Sequence, residues 1–101
     1  MHIEYGTILG DQRLSDDLTL YGVATGTLTV TAGRSLYLYG LCGAGLVVEA
    51  GGAATILGTV AGDVFNRGTV MLHGIVQGSV HSIGGQFEKS PASVVSGLLE
   101  I

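Results

Sequence analysis

Residues 70–78 read Val70-Met71-Leu72-His73-Gly74-Ile75-Val76-Gln77-Gly78, and residues 54–62 repeat the pattern as Ala54-Thr55-Ile56-Leu57-Gly58-Thr59-Val60-Ala61-Gly62. In both stretches apolar side chains stand at the first, third and seventh positions, with glycines at the fifth and ninth. Residues two apart on a strand point to the same side. Each stretch therefore predicts a short strand, a glycine corner and a second short strand that share one inner face.

The same pattern recurs along most of the chain. Between residues 18 and 60 every sixth residue is apolar, so three sides of about six residues close one coil. Glycines mark the corners because they accept positive φ without a Cβ clash. The spacing predicts an all-β, single-domain parallel β-helix (β-solenoid) over residues 1–101, roughly triangular, with about five to six coils of 16–18 residues. The corner glycines form two sets, Gly6, Gly22, Gly40, Gly58 and Gly74, and Gly33, Gly51, Gly68 and Gly84.

The two ends depart from this regularity. Glu4 occupies the inward column that holds Leu20 in the next unit, which predicts an irregular N-terminal coil over residues 1–17. Near the C-terminus the period is interrupted around Pro91, which cannot donate a ladder hydrogen bond. We therefore expect residues 85–101 to form a loop or cap.

Composition excludes several classes of function. With a net charge of −4 and only 4 Lys and Arg residues in 101, the chain lacks the basic footprint of a nucleic-acid-binding protein. Its most apolar stretches, residues 36–48 and 50–62, are shorter than the roughly 18 residues that a membrane span needs. No basic segment followed by an apolar core opens the chain, and one cysteine allows no internal disulfide. These features predict a cytoplasmic protein.

The residues that could carry chemistry have structural explanations. Cys42 falls in an inward column and is expected to be a small buried residue. The histidines have no short metal-ligand spacing, and the aspartates at 11, 16, 17 and 63 are expected at solvated corners. The six-residue period resembles that of hexapeptide-repeat acyltransferases, which are longer chains. We therefore expect no catalytic activity, no metal and no cofactor.

Outward positions beside the first strand of each coil collect aromatic and apolar side chains. A ladder of stacked rings would by itself stabilise a parallel sheet. An exposed aromatic patch is also typical of surfaces that bind partner proteins. Both interpretations remain open, and we refer to the predicted contact residues as the tyrosine face: Tyr21, Tyr37, Tyr39, Leu57, Met71 and His73.

The stretches Gly58-Thr59-Val60-Ala61-Gly62-Asp63-Val64 and Gly74-Ile75-Val76-Gln77-Gly78-Ser79-Val80 resemble the bactofilins, a family of polymer-forming bacterial cytoskeletal proteins. The resemblance covers most of residues 6–84. It implies a non-enzymatic protein that stacks end to end into filaments without nucleotide or metal. The chain departs from the family by lacking polar tails around the repeats.

Short β-solenoids of this kind are also similar to certain immunity proteins of bacterial toxin systems, which are compact and often acidic. That resemblance implies an inhibitor that covers a partner, and a basic toxin domain is the expected partner because opposite charges steer association. The leading hypothesis is thus a non-catalytic, protein-binding inhibitor. The alternative is a bactofilin-like scaffold that self-associates through its terminal coils.

Overall fold

The computed structural model describes residues 2–14 and 16–100, and these residues form 18 strands and no helix. The strands are short because a corner follows every two to four residues. In chain order they are β1 His2–Glu4, β2 Thr7–Ile8, β3 Gln12–Arg13, β4 Leu18–Leu20, β5 Val23–Ala24, β6 Thr27–Val30, β7 Ser35–Leu38, β8 Leu41–Cys42, β9 Gly45–Val48, β10 Ala53–Ile56, β11 Thr59–Val60, β12 Val64–Asn66, β13 Thr69–Leu72, β14 Ile75–Val76, β15 Val80–Ser82, β16 Gln86–Lys89, β17 Val94–Val95 and β18 Leu99–Glu100.

Every third strand stacks on the same side of the molecule, always in parallel. Wall 1 consists of β1, β4, β7, β10, β13 and β16, wall 2 of β2, β5, β8, β11, β14 and β17, and wall 3 of β3, β6, β9, β12, β15 and β18. Three consecutive strands make one coil, and we number the coils 1 to 6 from the N-terminus. This arrangement confirms the predicted parallel β-solenoid with three sides.

The register places equivalent residues of successive coils directly above one another. On wall 1, Leu20 pairs with Leu38, Leu38 with Ile56, and Ile56 with Leu72. The inward side chains of these strands are completely buried and form a continuous core along the rod. The core also includes the predicted third column of Ala24, Cys42, Val60 and Val76. Burial of the same column in every coil is what makes the coils stack.

The corner glycines are required for two different reasons, and only one of them was predicted. Gly33, Gly51 and Gly84 have positive φ, as a corner that needs glycine implies. Gly68 of the same predicted set does not, and neither do the glycines between walls 1 and 2. A Cβ at Gly40 would overlap the carbonyl oxygen of Gly22 in the coil before it. These glycines are therefore needed for close backbone contact between coils, not for an unusual backbone conformation.

Both ends are more regular than the sequence predicts. β1 pairs in register with β4, and Glu4 stands opposite Leu20. The segment 85–101, expected as a loop or cap, contributes β16, β17 and β18 to the three walls. The period is broken because the offset between paired residues rises from 17 at Thr69↔Gln86 to 19 at Ile75↔Val94. The extra residues around Pro91 are accommodated in the corner between walls 1 and 2.

Asn66 is a polar residue in the core that the sequence does not reveal. It lies in the inward column below Val48 and is 1% exposed. Its Nδ2 donates to the Gln86 carbonyl at 2.7 Å, and its Oδ1 accepts from the Gly68 N–H at 2.9 Å. These hydrogen bonds offset the cost of burying the amide. Asn66 thus ties together the backbone at the corner between walls 3 and 1.

We expect Gly40→Ala to destabilise the protein by about 2–4 kcal/mol, because the new methyl group meets backbone atoms that cannot move without shifting a whole coil. Gly6→Ala is the matched control. Gly6 belongs to the same corner column, but its Cβ would meet only the flexible Glu4 side chain at 3.4 Å. The free energy of unfolding of this control should lie within about 0.5 kcal/mol of the wild-type value. Urea denaturation measures the free energy of unfolding of both variants. An equal loss of stability in the two would contradict the role of Gly40 in contact between coils.

Burial raises the pKa of the Cys42 thiol, whose side chain is inaccessible to solvent. In the unfolded chain the Cys42 thiol has about its ordinary pKa of 9.0, so the stability that the buried thiol contributes should be fully present below pH 9.0. It should then decline as the pH rises through the folded-state pKa. Cys42→Ala should cost about 1 kcal/mol at pH 7, with a smaller cost at pH 10. Denaturation curves at both pH values measure this, and a cost that does not change with pH contradicts it.

Candidate partner-binding surface

The six residues of the tyrosine face lie on one side of the solenoid. Tyr37 and Met71 project outward from wall 1, and each is 38% exposed. The other four directly follow wall 1 strands, at the corner with wall 2. They lie in one column because the strands before them are in register: Tyr21, Tyr39, Leu57 and His73. The structure therefore brings together all the residues predicted to form a contact surface.

The tyrosine rings of the corner column stack on one another along the rod. The ring centroids of Tyr5 and Tyr21 are 5.1 Å apart with an interplanar angle of 7°, and those of Tyr21 and Tyr39 are 4.8 Å apart at 12°. This spacing is the distance between stacked parallel strands. The ring faces therefore cover each other, and the ring edges form the exposed surface. Such a surface suits contact with protein side chains better than stacking of a sugar or a base on a free ring face.

Wall 2 extends this surface with a column that the sequence analysis did not assign. Val23, Leu41 and Ile75 are 37%, 36% and 41% exposed, and each lies two residues beyond the corner column. Their signal in the sequence is the apolar residue that follows each of the corner glycines Gly22, Gly40 and Gly74. We call the tyrosine face together with Val23, Leu41 and Ile75 the apolar corner.

The apolar corner contains no charged residue. In coils 2 to 5, walls 1 and 2 correspond to residues 18–26, 35–44, 53–62 and 69–78, and none of these ranges contains Asp, Glu, Lys or Arg. The charged residues of the same coils occur on wall 3 or at its ends: Arg34, Glu49, Asp63 and Arg67. Four strands about 4.8 Å apart and two walls about 25 Å wide together give a patch on the order of 450 Å². The aromatic and aliphatic side chains share this uncharged area with Thr55, Thr59 and Gln77. Apolar patches of a few hundred Å² on monomers are often functional.

Charged residues of both signs border this patch, with Arg34 and Arg67 at the corner between walls 3 and 1. Three carboxylates on the border also hold corners together. Asp11 accepts a hydrogen bond from the Thr27 N–H at 2.8 Å, Asp63 accepts one from the Ser79 N–H at 2.9 Å, and Asp17 accepts one from the Ser35 N–H at 3.0 Å. Each of these carboxylates caps the backbone of the following coil, which agrees with their predicted place at corners.

Wall 3 offers a second, smaller aromatic feature. Phe65 is 46% exposed and stacks on His81 with centroids 5.0 Å apart. A depression of about 310 Å³ beside it is lined by charged as well as apolar residues, including Glu49 and Arg67. On the same wall Arg13 binds Glu49 through two contacts of 3.1 and 3.2 Å. The mixed charges distinguish wall 3 from the apolar corner.

The groups considered for chemistry lie apart from one another. Cys42 is buried in the core, where its thiol donates to the Gly45 carbonyl at 2.9 Å, whereas His73 lies on the outer surface. Within residues 2–14 and 16–100, no group of three or more His, Cys, Asp or Glu side chains is arranged to hold a metal ion. The same residues include no helix long and apolar enough to cross a membrane.

The apolar corner is therefore the candidate functional surface, and it forms the ridge where walls 1 and 2 meet. Comparisons of the chain with protein-family models, with curated proteins and with solved structures give no match.

Proposed function

We propose that the protein is a non-catalytic inhibitor that acts by covering a partner protein with its apolar corner. The observation that carries this proposal is the absence of charge from two adjoining walls over four coils. Burying uncharged aromatic and aliphatic side chains contributes most of the free energy at the centres of protein interfaces. An apolar surface of this size left in water is otherwise a liability for aggregation.

The rigidity of the surface supports the same proposal. Each side chain of the apolar corner stands on a strand, or directly beside one, that pairs with its neighbours on both sides. The stacked tyrosine rings restrict one another further. A surface that is already ordered loses little conformational entropy on binding.

The charge of the molecule indicates the kind of partner. The net charge is −4, and the apolar corner is bordered by the carboxylates of Asp11, Asp17 and Asp63. A partner with a basic rim around an apolar site would be attracted at long range and would then exclude water at the centre. A basic toxin domain fits this description, and the protein would then be its immunity protein. The single free thiol suits a reducing compartment, so we place this activity in the cytoplasm.

The bactofilin-like alternative receives less support. End-to-end filaments need apolar coil ends, but the wall 1 core column ends in Glu4 on one side and in Lys89 on the other. We therefore retain the inhibitor as the proposed function.

The test begins by identifying the partner through site-specific photo-crosslinking in the cells that produce the protein. A benzophenone amino acid at Tyr39 should capture one protein, and the same group at Phe65 should not. Phe65 is the matched control because it is equally exposed but lies on wall 3. Equal capture at both positions contradicts the proposed surface.

With the purified partner, we expect Tyr21→Ser together with Tyr39→Ser to weaken binding by about 30-fold or more, since buried tyrosines at interface centres often contribute 2 kcal/mol or more. Phe65→Ser should leave the affinity within about threefold. Circular dichroism should show the same β structure in both variants. Isothermal titration calorimetry measures the affinities, and unchanged binding by the double variant contradicts the proposal.

A further inference from the structure

The outermost coils carry opposite charges in the same inward column. In coils 2 to 5 this column consists of Leu20, Leu38, Ile56 and Leu72, all of them completely buried. The register continues the column to Glu4 in coil 1 and to Lys89 in coil 6. A charged group thus occupies each end of a column that is otherwise aliphatic.

Both charged side chains are bound to the same corner of their own coils. Glu4 Oε2 accepts a hydrogen bond from the Gly6 N–H at 3.1 Å. Lys89 Nζ donates to the Ser93 carbonyl at 2.8 Å. Gly6 and Ser93 both stand at the turn from wall 1 to wall 2, in coil 1 and coil 6 respectively. Each end of the rod is therefore closed at the same place by one charge that binds the local backbone.

The hydrogen bond from Gly6, with a smaller effect of the His2 side chain, lowers the pKa of the Glu4 carboxyl below its ordinary value. His2 Nε2 lies 3.4 Å from Glu4 Oε1. The Glu4 carboxylate is consequently ionised at neutral pH.

Apart from these charges, the ends have the features of a surface that another coil could extend. In the described part of the chain, β1 and β16 each pair with a neighbour on only one side, and the same holds for the end strands of walls 2 and 3. The outermost residues of the third core column, Ile8 and Val95, are partly buried and pack against the core. Unpaired parallel edges with apolar side chains beneath them are templates for further strands.

We propose that Glu4 and Lys89 are end caps that keep the protein a single rod, and that removing both charges opens its ends to head-to-tail stacking with a second copy of the chain. Contact between two N-terminal ends brings the Glu4 carboxylates together, and contact between two C-terminal ends does the same for Lys89. Head-to-tail contact places Lys89 beside Glu4 and takes both groups out of water. The desolvation of such an ion pair can cost more than its attraction gains, whereas apolar side chains at the same two positions would be buried favourably.

The experiment compares wild type with Glu4→Leu/Lys89→Leu by sedimentation velocity over a hundredfold range of concentration, with electron microscopy of the same samples. Wild type should sediment as a 10.3 kDa monomer throughout. The variant should form species that grow in length with concentration at constant width. Each single variant leaves one charge at a head-to-tail junction, so neither should form long rods.

The matched control is Arg34→Leu/Glu88→Leu, which removes the same two types of charge from exposed positions outside the core columns. It should show no growth in length. Glu4→Gln/Lys89→Met serves as a second neutral variant of similar side-chain size, should the leucine pair fail to fold. Two results overturn the proposal: end-to-end assembly of the wild type itself, or monomeric behaviour of a folded variant that has lost both charges.

Discussion

Close contact between the backbones of successive coils is the constraint on which the rest of the structure depends. At the turn from wall 1 to wall 2, coils 2 to 5 each place a glycine directly on the backbone of the preceding coil, as Gly40 does on the carbonyl group of Gly22 and Gly58 on that of Gly40. A side chain at these positions would overlap that backbone. Because the contact recurs through the inner coils, it holds them in a common register. Inward residues consequently stack on inward residues and outward residues on outward ones along the whole rod.

This register converts a repeat in the chain into surfaces of uniform character. Side chains 16 to 18 residues apart become neighbours about 4.8 Å apart, and the tyrosine rings at 21 and 39 stack as a result. In coils 2 to 5 the same stacking separates the charged residues, which occur on wall 3 and its corners, from the uncharged walls 1 and 2. A binding surface of this kind contains no reactive group. In the proposed inhibitor, specificity would come from shape, from apolar contact and from the charges at the border.

Most of the fold could be predicted from the sequence because the two periodicities of a solenoid are both visible there. Alternation of apolar residues locates the strands, and the interval between glycines gives the length of a coil. The pairing of Leu38 with Ile56 and the burial of Cys42 both follow from the two-residue alternation within strands and the 16–18-residue interval between corner glycines. The ends could not be predicted in the same way. Inserted residues around Pro91 raise the offset between coils 5 and 6 from 17 at β16 to 19 at β17 and β18, so these last two strands cannot be found by extending the period.

The candidate surface could be predicted only in part. The tyrosine face was visible because its members share a position in the repeat. The wall 2 residues Val23, Leu41 and Ile75 share a position too, but Thr59 takes the same position in coil 4, so the column is not uniformly apolar in the sequence. Asn66 was missed for a different reason. Its burial depends on hydrogen bonds to Gly68 and Gln86 that form only when the coils close.

The most direct test of this account is a nuclear Overhauser spectrum of the protein in solution. Parallel stacking predicts contacts between backbone protons of residues 16 to 18 apart, such as those of Leu38 with Ile56 and of Ile56 with Leu72, which stand opposite each other on wall 1. The same offset should recur along walls 1, 2 and 3 of the inner coils. Contacts arranged symmetrically about a turn, as in antiparallel hairpins, would contradict the stacked coil and with it both proposed roles of its surface.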